Sequence, residues 1–330
     1  MRTAPLMIVA AAVVAVAATI WVRKKPSGVD WPHKTVTLLV PISAGAGIDL
    51  AARLFAEQLS KKWNQAVIVD NRPGGGDAVL GWSLFASVKD DHTLLFSAAG
   101  PITMDILIRD DLPYVADDFV PIATVARPTI VIAASAALPA TSLKELEALV
   151  QTQPRKYFWS AIGRLGNFFE AFLKMEKLEM TYVPYTTTPE AVQDLAAGRL
   201  QVWMSSLATV ESQLLAGKVR ILAVTNTDRA LTLPAVQTVS EAGYPGLTLD
   251  GIWGIYGSRG MPDSLRNRIA EDIRLATSEP ELTRRMSATG APAASSTPDE
   301  FAALLEFQRK QFEKVIAILD LKKRSREIRR

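Results

Sequence analysis

Two glycine-bearing segments are the places where this chain carries residues suited to chemistry. The first, Pro41-Ile-Ser-Ala-Gly-Ala-Gly47, follows an apolar β-rich run at 35–40 and precedes a helical pattern at 49–62. The second, Asn71-Arg-Pro-Gly-Gly-Gly-Asp77, follows a similar run at 66–70 and precedes a helical pattern at 79–88. Glycine lets the backbone approach a bound group closely, and the free N–H groups and dipole of a helix N-terminus attract anions. Two such turns on consecutive strand ends open on the same edge of a parallel sheet, where ligands of open α/β sheets lie. The expected chemistry is therefore capture of an anion by backbone donors. The candidate residues are Ser43, Ala44, Gly45, Ala46 and Gly47 in the first turn, Gly75, Gly76 and Asp77 in the second, and Ser97 at the end of the next strand. A tight turn holding no ligand is the alternative at each.

Other chemistries find little support. Gly45-Ala-Gly47 with Asp70 imitates a dinucleotide fingerprint, but Leu50 occupies the third glycine position and would block close helix–strand packing. There is no cysteine, which removes disulfides, thiolate metal sites and thiol nucleophiles. The only histidines, His33 and His92, fall before a strand and in a turn, and no Gly-x-Ser-x-Gly elbow accompanies them. No catalytic residue, metal ion or cofactor is expected. The formal net charge of +3 comes from the chain ends. Arg2, Arg23, Lys24 and Lys25 flank an N-terminal apolar segment, and a basic tail occupies 320–330, while the body between is net acidic. Nucleic acid is not an expected partner.

The elements that position these turns follow from periodicity. Strand patterns at 35–40, 66–70 and 93–97 alternate with helical ones, which predicts a parallel sheet covered on both faces. A second unit resumes with strand patterns at 129–133, 156–160, 180–184, 200–205 and 220–225. Its helices are expected at 165–176 and 189–197, with another beginning at Ser142, three residues before Glu145. From 249 to 256 the chain returns toward the first unit, and amphipathic helices follow at 264–277 and 298–319. With 330 residues, two domains are the default. The expected fold class is α/β, with two lobes and a ligand cleft between them. One lobe is expected from 31–126 with 248–319, the other from 127–247. Residues 1–25 read as a signal peptide or an uncleaved membrane anchor. The apolar run reaches Val22 and small residues at Ala15 and Ala17 suit cleavage, but the positive charge at Arg23–Lys25 opposes translocation.

Several motifs in one order carry a family resemblance. They are Val40-Pro-Ile-Ser-Ala-Gly-Ala-Gly-Ile-Asp49, Asn71-Arg-Pro-Gly74, Tyr182-Val-Pro-Tyr185, Leu222-Ala-Val-Thr225, Leu233-Pro-Ala-Val236, Glu241-Ala-Gly243 and Trp253-Gly-Ile-Tyr256. Together they resemble the tripartite tricarboxylate transporter substrate-binding proteins, the TctC or Bug family, over residues 31–319. The resemblance implies a periplasmic binding-protein fold, a small organic carboxylate as ligand and delivery to a membrane permease of the same system. The ligand loops depart from the family pattern. Ser43, Ala44, Ala46 and Ile48 replace prolines, a glycine and a small polar residue. Asp77 and Ala78 replace Gly and Asn, and Thr186-Thr-Thr188 replaces a glycine turn. If Asp77 points inward, a mono-anion or an amino acid is favoured over a second carboxylate. The second lobe is expected to close with Ser160, Gly163, Tyr185 and the hydroxyls of Thr186, Thr187, Ser205 and Ser206, and with Arg164 as a bidentate clamp if it turns inward. A membrane-tethered sensor or adaptor, and a two-lobed enzyme acting through Asp49 or Asp77, are the alternative functions.

Overall fold

A computed structural model describes residues 31–74, 78–161, 163–185, 187–287 and 290–321. Two five-stranded sheets organise it. In the first, β1 (Val36–Val40) lies parallel to both β2 (Val67–Asn71) and β3 (Thr93–Ala98). The returning strand β10 (Trp253–Ser258) then inserts antiparallel between β3 and β4 (Phe119–Ala126). In the second sheet, β6 (Phe158–Ala161) is parallel to β7 (Thr181–Tyr182) and β8 (Val202–Ser206). There β5 (Ile130–Ser135) runs antiparallel to both β8 and β9 (Val219–Val224). The two-lobed α/β class holds, but each sheet is mixed rather than parallel throughout. Helical crossovers enforce parallel pairing only between the strands they join. Strands β5 and β10 each enter a sheet from the opposite lobe and escape that constraint.

Strand alternation builds the core. In β1, Val36, Leu38 and Val40 face α1 (Gly47–Trp63) and α7 (Asp263–Thr277), burying against Phe55, Leu59 and Ile269. Leu39 points to the other face, where Trp82 and Phe85 of α2 (Val79–Ala86) meet Tyr256 and Phe301. The second sheet divides the same way. Ile130, Ile132 and Ala134 face α3 (Leu143–Thr152) and α4 (Leu165–Met175), while Val131 and Ala133 face α5 (Thr188–Ala196) and α6 (Leu207–Leu215). Strands covered on both faces read as continuous apolar runs, which is how the sequence shows them. Three elements, β4, α6 and α8 (Pro280–Ser287), are not among those expected from sequence. At α3, Ser142 accepts from the Glu145 N–H at 3.3 Å, but the Glu145 carboxylate returns to the Thr141 N–H rather than that of Ser142.

The last helix, α9 (Pro298–Leu319), opens with a full capping box between Thr297 and Glu300. Its first half buries Phe301 and Leu305 in the first lobe. Its second half buries Phe312, Val315, Ile316 and Leu319 in the second, with Phe312 edge-on to Phe168 at 4.9 Å. Between them, buried Gln308 accepts from the Thr103 hydroxyl at 2.8 Å and donates to the Asp250 carbonyl at 2.9 Å. The crossing segments are tied together beside it. Arg127 pairs with Asp250 at 2.7 Å, and Asp250 also accepts from the Thr227 N–H and hydroxyl. Asn226 accepts from Ile130 N–H and donates to the Pro128 carbonyl.

Candidate functional site

The first glycine turn joins β1 to α1. Gly45 has φ of 86°, a left-handed conformation that a side chain would strain. Its N–H donates to the Asp49 carboxylate at 2.8 Å. Asp49 is 1% exposed and also accepts from Asn71 at 2.9 Å and Arg53 at 3.1 Å. Burial by itself would raise its pKa. The hydrogen bonds from Gly45, Arg53 and Asn71 outweigh that and hold it below the usual carboxylate value. Asp49 therefore fixes the turn from beneath, with its charge already matched by Arg53. Ala46 is the N-cap in extended conformation and supplies no side-chain cap. Gly47 is the first helical residue. A Cβ built there would stand 3.6 Å from the Trp253 ring, so the absent side chain leaves a gap between the turn and Trp253.

That gap belongs to a cavity of about 640 Å³ between the lobes. Ile42, Ala46, Gly47, Ile48, Ser97 and Trp253 line it from the first lobe. Pro128 of the crossing segment and Thr188, Ser206, Ala208 and Thr209 of the second lobe line it opposite, with Gly290 and Ala291 at one side. Helices α5 and α6 begin at this cavity, with Thr187 and Ser206 as N-caps that make no side-chain cap bond. The Ser206 hydroxyl instead meets the Thr209 hydroxyl at 2.9 Å. Helices α1, α5 and α6 thus present uncapped N-termini to one space, α1 from one lobe and α5 and α6 from the other. Each carries roughly half a positive charge, so the arrangement attracts an anion without any cationic side chain.

The residues expected from sequence separate in space. Ala46, Gly47 and Ser97 line the cavity, and Ser97 also accepts from Trp82 Nε1 at 3.1 Å. Ser43, Ala44 and Gly45 are exposed on the turn beside it. Thr187 is the exposed N-cap of α5, while Ser160 is buried at the end of β6. Gly163 lines a separate open groove between α4 and β7. Tyr185 donates to Asp194 at 2.8 Å; burial, and then that bond, push its pKa up to about 12. Ser205 is fully buried, its hydroxyl donating to the Ser206 carbonyl, so its neighbour Ser206 is the one that faces the cavity. Arg164 grips Asp105 through both carboxylate oxygens, with Nε to Oδ1 at 2.6 Å. Gly75, Gly76, Asp77 and Thr186 lie outside the described residues, as does the N-terminal segment 1–30.

Sequence reasoning passed over Ile48, Pro128, Thr209, Trp253 and Ala291 as ligand neighbours. Thr209 had a readable signal, lying three residues after the expected cleft serine Ser206 on the apolar helical spacing Leu207, Val210 and Leu214. Trp253 had none, because only the return of β10 beside β3 brings it to the first turn. Among the described residues no group of three or more His, Cys, Asp or Glu could hold a metal ion. Among them, too, no helix is long and apolar enough to cross a membrane.

Residues 51–321 match the family described as the tripartite tricarboxylate transporter family receptor, TctC. The chain belongs to this family. Among its relatives is the "UPF0065 protein in tcbD-tcbE intergenic region" of Pseudomonas sp. (strain P51), 30% identical over 87% of this chain and 86% of the relative. An R. palustris protein solved with adipate is 29% identical, with TM-score 0.72, and the match covers 88% of this chain and 98% of that one. MatC from Rhodopseudomonas palustris, solved with bound malate, shares the fold at TM-score 0.69 and 24% identity, covering 87% of this chain and all of that one (100%). Family and fold are those of TctC-type periplasmic solute-binding proteins, not of enzymes.

Proposed function

We propose that this TctC-family protein is an extracytoplasmic receptor that captures a small organic carboxylate between its lobes and delivers it to a membrane permease of the tripartite tricarboxylate type. The observation that carries this reading is the convergence of the α1, α5 and α6 N-termini on one cavity. Backbone N–H donors there are fixed by the sheets and bring no counter-ion to desolvate. The carboxylate is placed against the first turn near Ala46 and Gly47, with the Ser206 and Thr209 hydroxyls closing from the opposite lobe. The division between lobes is placed at 126/127 and 247/248, with α9 spanning both, so that closure bends the crossing segments around Arg127 and Asp250. Residues 1–25 direct the folded body to the periplasm, cleaved as a signal or kept as a tether. No chemical step on the ligand is required, and the site uses no cofactor.

Thermal unfolding of the purified protein with a panel of carboxylates, beside their uncharged amides, tests the reading. A ligand bound only by the native state raises stability by about 2.7 kcal/mol at a hundredfold excess over Kd. At least one carboxylate must raise Tm where its amide does not. A panel in which no acid outperforms its amide refutes anion capture. A reporter enzyme fused after residue 30 and active only in the cytoplasm refutes export.

A further inference from the structure

Among the described residues, the cavity that draws an anion offers no cation for a second one. Its described lining contains no Arg, Lys, His, Asp or Glu. Ile42, Ile48, Pro128, Trp253 and Ala291 supply most of the wall, while side-chain polarity is confined to hydroxyls of Ser97, Thr188, Ser206 and Thr209. Among the described residues, Arg127, the sequence neighbour of cavity-lining Pro128, is paired with Asp250. Arg53 neutralises Asp49 beneath the turn, and Arg164 is held by Asp105. Helix N-termini favour an anion beside them but supply no full cation, and Asp49 and Glu190 already lie in the first turns of α1 and α5. A second carboxylate would lie against apolar wall with no cation, and burying an unpaired charge is heavily penalised.

We infer that the ligand carries a single carboxylate on an uncharged, largely apolar body, aliphatic or aromatic. This rests on the carboxylate reading above and narrows it. It sets this receptor apart from its R. palustris relative solved with the dicarboxylate adipate. The carboxylate sits at the helix N-termini and the body extends along Ile48 and Trp253. Trp253 is partly exposed in the cleft, whereas Trp31, Trp63, Trp82, Trp159 and Trp203 are buried, so its emission gives a local signal of occupancy.

The test is calorimetric titration of the purified protein with matched pairs, hexanoate against adipate and benzoate against terephthalate, plus hexanamide and benzamide. Trp253 fluorescence is followed in parallel, with Trp253→Phe as the control. At least one monoacid is expected to bind about tenfold or more tightly than its diacid partner, since the second charge finds no counter-ion. A diacid that binds as tightly as its monoacid overturns the single-charge inference and leaves carboxylate capture standing. An amide that binds as well as its acid, or a panel in which no acid binds, sinks both. A second variant guards the reasoning. Ile42→Lys places a cation on a 40%-exposed position of the cavity wall, where folding tolerates it. It should raise diacid affinity and shrink the monoacid preference; an unchanged ratio means that selectivity does not arise from missing positive charge.

Discussion

Removing the Arg164 side chain separates two roles, the clamp on the ligand that the sequence offered and the strut to Asp105 that the structure shows. Asp105 sits just after β3 in a segment whose neighbour Met104 is buried in the second lobe's core. Its side chain is 2% exposed, whereas that of Arg164 is 25% exposed. The pair is therefore asymmetric. Arg164→Ala takes the two-pronged partner from a buried carboxylate that Arg109 also faces, and should cost about 3–5 kcal/mol of stability. Asp105→Asn leaves a guanidinium that can swing to water, for about 1–2 kcal/mol. The double variant should be less damaged than Arg164→Ala alone, with a coupling of about 1–3 kcal/mol. Urea unfolding of the parent and the three variants gives these differences from the shift in midpoint at constant slope. Ligand titration on the same samples supplies the second readout. If Arg164→Ala unfolds within about 0.5 kcal/mol of the parent while affinity falls more than about a hundredfold, Arg164 holds the ligand and the strut is wrong.

Gly47→Val should keep the fold, because Gly47 has no left-handed φ and its Cβ meets only Trp253 at 3.6 Å, yet it fills the gap that the ligand needs. Losing two charge-assisted bonds of about 1.5–3 kcal/mol each would weaken binding more than a hundredfold; calorimetry giving parental affinity would place the anion elsewhere. Gly254→Ala puts a Cβ 2.1 Å from Phe301 and 3.1 Å from the Ala123 carbonyl, and should cost about 1–3 kcal/mol of overpacking. Combination with Phe301→Leu should recover part of that loss in chemical denaturation, and a purely additive result would refute the steric account. Asp49 is held below its usual pKa, so its contribution is present at neutral pH and is lost as pH falls through the folded value. Asp49→Asn should therefore lower Tm at pH 7 and much less at about pH 2, well below the unfolded pKa of roughly 3.9; equal losses at both would mean that the charge is not what stabilises the turn.

The sequence by itself determined the local elements and the first turn. Apolar runs marked all the strands but β4, the amphipathic pattern at 298–319 marked α9, and the glycines after β1 marked a place where backbone meets ligand, since each signal lies within a few neighbouring residues. It could not determine strand direction. Antiparallel β5 and β10 arise from chain passage between lobes, and no local period records the side from which a strand enters a sheet. Side-chain partners were equally hidden. Arg164 reads in sequence as a clamp or a surface side chain, but Asp105, 59 residues earlier, meets it in the fold. Trp253 joins the site because β10 pairs with β3, and Pro128 because the crossing segment borders the cleft. The charge balance of the cavity is likewise a tertiary property. It depends on which cations are already taken and which helix ends converge, and both follow from distances between residues far apart in the chain.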